Sequence, residues 1–202
     1  MTAAAIEDAA KTRKTEHAVD KIFPARWSPR ALSGEALSRE ELLSLFEAAR
    51  WAPSSSNIQP WRFVYATRES AEWAKFVGLM VEFNQSWAKN AAALIVVVSQ
   101  RESVYQGKTA VSRTHAFDTG AAWENLALQA SLKGLVAHGM AGFDYARAKA
   151  ELGIPDNFDV QAMIAVGKPG RKEDLPPALQ EREAPSDRKP LAELAFEGKF
   201  KA

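Results

Sequence analysis

Five apolar residues in a row, Leu94-Ile95-Val96-Val97-Val98, set the strongest limit on what this chain can fold into. The run does not alternate with polar residues, so it reads as a strand buried on both faces. A strand of that kind lies inside a sheet covered by helices. The wider apolar stretch, Ala91 to Val98, is far too short to span a bilayer, which takes about 20 residues as a helix. A length of 202 residues fits one domain with a sizeable core. Lys and Arg number 26 against 25 Asp and Glu, so no net field draws the chain toward nucleic acid or a membrane surface. The absence of cysteine excludes disulfides, thiolate nucleophiles and Cys-bound zinc or iron–sulfur centres, and a cytoplasmic location is the expectation. Residues 1–20 mix Lys and Arg with Glu7, Asp8, Glu16 and Asp20 and lack an apolar core. They do not read as a signal peptide. A tail or peripheral helix is expected there, ahead of one domain over 21–202.

The remaining elements follow from spacing. Ser38-Arg39-Glu40-Glu41 has capping-box order, and Leu42, Leu45, Phe46 and Ala49 follow at helical intervals, which predicts a helix ending near Trp51. Trp61 to Ala66 reads as a strand, Glu72 to Phe83 as a helix, and Leu135 to Met140 as a short strand or an extended connection. Ala146 to Leu152 reads as a short helix and Val160 to Val166 as another strand. His115 to Lys133 is the longest helix candidate, with Gly134 as its stop. Its apolar residues, Ala121, Ala122, Trp123, Leu126, Ala127, Leu128, Ala130 and Leu132, cover most of the circumference. Such a helix belongs in a core or at a subunit interface. Lys168 to Pro190 is rich in charge and proline and reads as a surface segment, either flexible or laid over a neighbour. Leu191 to Phe200 then carries apolar residues that need cover.

Two segments carry candidate chemistry. Trp51-Ala52-Pro53-Ser54-Ser55-Ser56-Asn57-Ile58-Gln59-Pro60-Trp61 packs three hydroxyls and two amides between prolines, which preset the backbone against helix. A stiff polar loop between a helix and a strand suits a ligand rich in hydroxyls or amides. The plainer alternative is an ordinary loop, since Ser and Asn are common there. Before the first long helix, Arg26-Trp27-Ser28-Pro29-Arg30 offers two guanidiniums and a hydroxyl, a set suited to phosphate. Arg pairs near helix starts are also often simply solvated or salt-bridged. Ser186-Asp187-Arg188-Lys189-Pro190 is a second basic cluster. His17, His115 and His138 are scattered without metal-ligand spacing, and residues 139–142 lack the strand–turn–helix setting of a dinucleotide fingerprint. The six tryptophans read mainly as core or interface, with Trp51 and Trp61 fixing the polar loop's shape.

Together, the Arg-x-Ser-x-Arg segment, the Pro-Ser-Ser-x-Asn-x-Gln-Pro-Trp segment and the late basic pair followed by Pro-Leu resemble the nitroreductase family of FMN-dependent oxidoreductases. Asp118-Thr119-Gly120-Ala121-Ala122-Trp123-Glu124-Asn125-Leu126 is similar to that family's central dimer helix, and Gly139-Met140-Ala141-Gly142-Phe143 to its flavin-facing turn. The resemblance covers roughly residues 20 to 200. It implies an α+β fold, with a mainly antiparallel central sheet of four or five strands flanked by helices in an intertwined homodimer. The C-terminal extension, about 170–202, would wrap the partner subunit.

The resemblance also implies roles. Arg26 and Arg188 would bind the FMN phosphate, helped by Arg30 and Lys189. Trp27 and Ser28 would lie along the ribityl chain and ring edge. Pro53, Ser54, Ser55 and Asn57 would line the cofactor from the facing subunit. Met140, Ala141 and Gly142 would lie beside the flavin, Asn84 would reach the ring's pyrimidine edge, and Asp118 would lie near the ribityl chain. The implied activity is reduction of nitroaromatics, quinones or related small acceptors with NADH or NADPH by a ping-pong hydride mechanism, with chemistry carried by FMN and no catalytic side chain. A flavin-binding carrier or sensor of the same fold is the alternative, and a helical interaction module without cofactor is a further one. Trp27 and Ala141 depart from the pattern of many relatives, which bears on substrate preference more than on flavin binding.

Overall fold

The computed structural model describes residues 12–105 and 107–201, so the first eleven residues of the expected N-terminal tail lie outside the described residues. The run around Leu94 forms β2 (Ala93–Gln100), buried along almost its whole length. β2 is flanked by β1 (Trp61–Thr67) and β6 (Phe158–Gly167), and β5 (Val136–Met140) completes a four-stranded sheet in the order β1-β2-β6-β5. All three pairings are antiparallel, with a register shift between Val97 and Val98 where β2 meets β6. The period of two divides β2 between two cores. Leu94, Val96 and Val98 enter one core with Phe76, Leu79, Trp87, Met163 and Ala165. Ala93, Ile95 and Val97 enter the other with Leu42, Leu45, Leu126, Ala130 and Ile164.

Three short helices cover the first face: α3 (Trp73–Leu79), α4 (Glu82–Ala88) and α6 (Tyr145–Glu151). Two longer ones cover the second: α2 (Arg39–Arg50) and α5 (His115–Leu132). α2 starts on the expected capping box, in which Glu41 N donates to Ser38 Oγ at 3.1 Å and Ser38 N to Glu41 Oε2 at 2.8 Å. α5 ends in a Schellman arrangement. Gly134 N donates to Ser131 O and Leu135 N to Ala130 O, with Gly134 at φ +70°. α1 (Ile22–Ala25) and α7 (Pro177–Gln180) are single turns.

The single helix expected over Glu72 to Phe83 is instead two. Met80 adopts an extended conformation and bridges to Phe143, while Val81 N donates to Gly142 O. Asp144 N and Arg147 Nη1 take the free carbonyls of Leu79 and Gly78. Pairing with a segment distant in sequence outweighs helical continuity there. A hairpin of β3 (Glu102–Tyr105) and β4 (Lys108–Val111) was not expected either. Val104 and Val111 are both exposed, so these two apolar residues do not mark it as a half-buried pair in the sequence.

α5 buries one face, including Ala122, Leu126, Ala127 and Ala130, while Phe117 is 81% and Leu132 69% exposed. The near-complete apolar circumference is thus used on one side within the chain. The C-terminal segment first packs on its own chain. Ser33 N donates to Lys168 O, Gly170 N donates to Ala31 O, and Leu175 and Leu179 are buried. From residue 184 onward the segment is largely exposed, and Leu191, Leu194 and Phe200 lie in the open. No helix among the described residues is long and apolar enough to cross a membrane.

Candidate functional site

α1 ends at Ala25, and the extended chain beyond it carries Arg26-Trp27-Ser28-Pro29-Arg30 past His138 in the middle of β5. The C-terminal segment returns to the same place. Arg13, Arg26, Trp27, Ser28, Arg30, His138, Arg182, Ala184, Ser186 and Arg188 line one cleft of about 270 Å³. Arg26 and Arg188, chosen from opposite ends of the sequence, share it with Arg30, Ser28 and Trp27. Lys189 does not line this cleft. It pairs with Glu193 at 3.7 Å and faces a neighbouring hollow.

Two carboxylates hold the cleft's wall. Glu183 is buried and its Oε1 accepts from Arg30 N at 2.7 Å and Ala31 N at 2.8 Å, while Oε2 lies 3.9 Å from Arg30 Nη1. Arg26 Nε lies 3.4 Å from Glu124 Oε1, and its Nη1 donates to Ser28 Oγ at 3.4 Å. Among the described residues no carboxylate lies within ion-pair distance of Arg13, Arg182 or Arg188. Five arginines and two serine hydroxyls, set against the carboxylates of Glu124, Glu183 and Asp187, make a donor set for an anion, and guanidinium forks match phosphate oxygens in particular.

His138, which spacing did not single out, lies in this wall with its ring 4.6 Å from that of Trp87. Its Nδ1 sits 3.0 Å from Pro29 O. A carbonyl only accepts, so Nδ1 carries the proton. Burial, and then the charges of Arg30 and Arg26, push this imidazole down from 6.5 to about 4. It is therefore neutral at pH 7. Arg13 and Arg182 were also missed, because lone arginines among charged, irregular segments leave no pattern.

β5 leads from His138 to Met140-Ala141-Gly142, about 10 Å further at the usual strand rise. Gly142 O accepts from both Asn84 Nδ2 at 2.9 Å and Val81 N at 3.1 Å. A Cβ at Gly142 would stand 2.6 Å from Asn84 Nδ2, so a side chain there would displace the Asn84 amide that holds the turn. Asn84, expected at the cofactor ring, is buried with its amide nitrogen committed to this turn. Met140 is buried and Ala141 exposed.

The polar loop is a separate feature. Ser55–Asn57 forms a 3₁₀ turn, and Ser56, Asn57 and Gln59 have φ of +49°, +54° and +52°. Left-handed backbone costs an L-residue roughly 1–2 kcal/mol, so three such residues in four positions mark stored strain. Hydrogen bonds hold the shape. Ser55 N donates to Asp118 Oδ2 at 3.1 Å, Gln59 N to Ser54 Oγ at 3.0 Å, and Arg62 Nη1 to Gln59 O at 2.9 Å. Asp118, expected beside a ribityl chain, anchors the loop's backbone and also accepts from Thr114 Oγ1 at 3.0 Å. Trp61 is buried below the loop, but Trp51 is 72% exposed, with its Nε1 on Glu47, and does not shape it. Pro53, Ser55 and Asn57 are exposed, and Ser54 is partly so. The loop does not line the basic cleft. Its anchor Asp118 and the cleft's Glu124 lie six residues apart on α5, about 9 Å along the axis and on different faces.

A four-stranded antiparallel sheet between two helical layers, with a basic cleft and a strained polar loop, defines a small α+β protein with a site suited to an anionic ligand. The particular family is plain from comparison. The nitroreductase family model matches residues 24–168, and the chain belongs to that family. A putative NADH dehydrogenase/NAD(P)H nitroreductase of Archaeoglobus fulgidus is 29% identical over 159 residues, 77% of this chain and 87% of that protein. Protein DrgA of Synechocystis is 30% identical over 181 residues, 78% of this chain and 85% of that one. Among solved structures, an oxidoreductase containing FMN is 50% identical, with a TM-score of 0.91 over 94% of this chain and 96% of that one. A putative nitroreductase from Desulfovibrio desulfuricans in complex with FMN is 28% identical, with a TM-score of 0.70 over 93% of this chain and all of that one.

Proposed function

We propose that this chain is an FMN-dependent oxidoreductase that uses NADH or NADPH to reduce small electrophilic acceptors such as nitroaromatics or quinones. The observation that carries this reading is the basic cleft, where arginines from both ends of the chain meet beside a strand leading to a rigid turn. The two FMN-containing structures similar to nearly the whole chain support the same cofactor here. Arg26 and Arg188 would hold its phosphate, with Arg30 and the Ser28 hydroxyl beside them, and Trp27 would lie along the ribityl chain. Met140, Ala141 and Gly142 would border the ring, where a backbone amide of the turn can donate. Asn84 would act by holding that turn.

When bound, FMN supplies the redox chemistry, accepting a hydride from the nicotinamide and passing electrons to the acceptor in a second half-reaction. The chain's own residues bind, orient and exclude water, and none need be a strong acid or base. Pro53, Ser54, Ser55 and Asn57 would approach the cofactor from a second copy, because the loop stands apart from the cleft within one chain. Phe117 and Leu132 on the open face of α5 would be covered in that homodimer, and the exposed stretch from residue 184 would reach across it.

The test is to purify the protein, record its visible spectrum, identify any released chromophore and measure its mass in solution. Steady-state oxidation of NADH and NADPH with a quinone and a nitroaromatic follows, with parallel double-reciprocal lines expected. Protein that neither contains nor takes up FMN would sink the reading. Flavin-loaded protein without turnover would leave the carrier or sensor alternative.

A further inference from the structure

Residues 12–20 precede the stretch that the family model matches, yet Arg13 among them reaches the basic cleft and most of the rest border the hollow beside it. Arg13 lies in its wall. Its Nη1 donates to Pro24 O at 3.0 Å and to Arg26 O at 2.7 Å, so the guanidinium fixes the backbone that carries Arg26. Its buried Nε has no partner among the described residues. Burial, and then the charges of Arg188 and Arg26, lower the Arg13 pKa, with the Asp187 carboxylate acting against them. Like charges crowded in a partly buried cleft, with a buried N–H left unpaired, are an arrangement that an anion completes. The arm is also latched further along, where Leu191 N donates to Glu16 Oε1 at 2.8 Å and joins it to the segment that carries Arg188.

We propose that residues 12–20 form a strap over the basic cleft, with Arg13 as a third guanidinium on the cofactor's phosphate beside Arg26 and Arg188. The identity of the anion rests on the FMN reading, whereas the strap and its charge do not. The strap ties both ends of the chain over the phosphate, so opening it is a step in cofactor release. Glu16 serves as the latch and does not itself line the cleft.

Dissociation constants for FMN, riboflavin and inorganic phosphate, with FMN release rates, would be measured on the full-length apo-protein, its Arg13→Ala and Arg13→Lys variants and Glu16→Ala. Arg13→Ala should weaken FMN and phosphate by about tenfold or more, the worth of one charge-assisted hydrogen bond, and leave riboflavin unchanged. Arg13→Lys should fall between, since it keeps the charge and loses the fork. Glu16→Ala should release FMN faster with a smaller loss of affinity. Unchanged FMN and phosphate binding in Arg13→Ala would overturn the contact while leaving the FMN reading intact. Equal weakening of FMN and riboflavin would overturn it too, by reducing Arg13 to a structural role. Unchanged release from Glu16→Ala would overturn the latch. Wild-type protein that binds phosphate through Arg13 but refuses FMN would support the strap and remove the flavin.

Discussion

The basic cleft and the polar loop solve opposite problems. The cleft is assembled from the N-terminal arm, the stretch after α1, β5 and the C-terminal segment, and its difficulty is charge held close to charge. The loop is one contiguous peptide between α2 and β1, and its difficulty is backbone strain held by hydrogen bonds. An anion relieves the first, while the second is relieved only by changing the chain. Ligand affinity should therefore be most sensitive in the cleft, and intrinsic stability in the loop.

The largest expected difference between the two tests this division. Arg26→Ala should lower FMN affinity by about 1.5–3 kcal/mol, or roughly 10- to 150-fold, as read by fluorescence titration. Ser55→Ala in the loop should lower it by only about 1 kcal/mol. Equal losses would break the comparison.

Acid stability separates the regions next. The His138 imidazole is depressed in the folded protein, so between pH 6.5 and about 4 the unfolded chain binds a proton that the folded one does not. Stability from this group is therefore full above pH 6.5 and lost as pH falls toward 4, by about 3 kcal/mol. Urea melts across that window should be markedly less steep in pH for His138→Gln than for wild type. Parallel profiles would remove His138 from the cleft's energetics.

In the loop, Asp118→Ala leaves the Ser55 amide without its acceptor and should destabilise the protein by about 1–3 kcal/mol. Hydrogen exchange at Ser55 should quicken, and an unchanged rate would mean that something else holds the loop. The smallest effect has the opposite sign. Ser56→Gly removes the left-handed penalty at φ +49° and should raise stability by about 0.5–1 kcal/mol in urea melts, net of glycine's added chain entropy. A loss of stability would show that the Ser56 hydroxyl contributes more than its backbone costs.

Contiguous features were legible from residues alone. The capping box of α2, the stop at Gly134, the doubly buried β2 and the polar loop each depend on neighbours within a few positions. The break between α3 and α4 was not legible, because the bonds that cause it come from Gly142 and Phe143, about sixty residues away. The β3–β4 hairpin escaped because its apolar residues Val104 and Val111 are exposed and give no core-facing alternation. Asn84 and Asp118 were marked as polar residues with a task, but their partners, Gly142 O and Ser55 N, emerge only when distant segments are packed together.

The sequence by itself determined most of the helices and strands and the family resemblance, which in turn implied the antiparallel α+β class and the pairing of Arg26 with Arg188. Tertiary structure alone decided which charges share the cleft, why His138 is neutral there, and that Arg13 and Arg182 join it. It also decided that cleft and loop stand apart within one chain. The physical reason is range. Helix caps and strand patterns arise from contacts a few residues apart, whereas burial, charge crowding and shared clefts depend on which remote segments the sheet brings together.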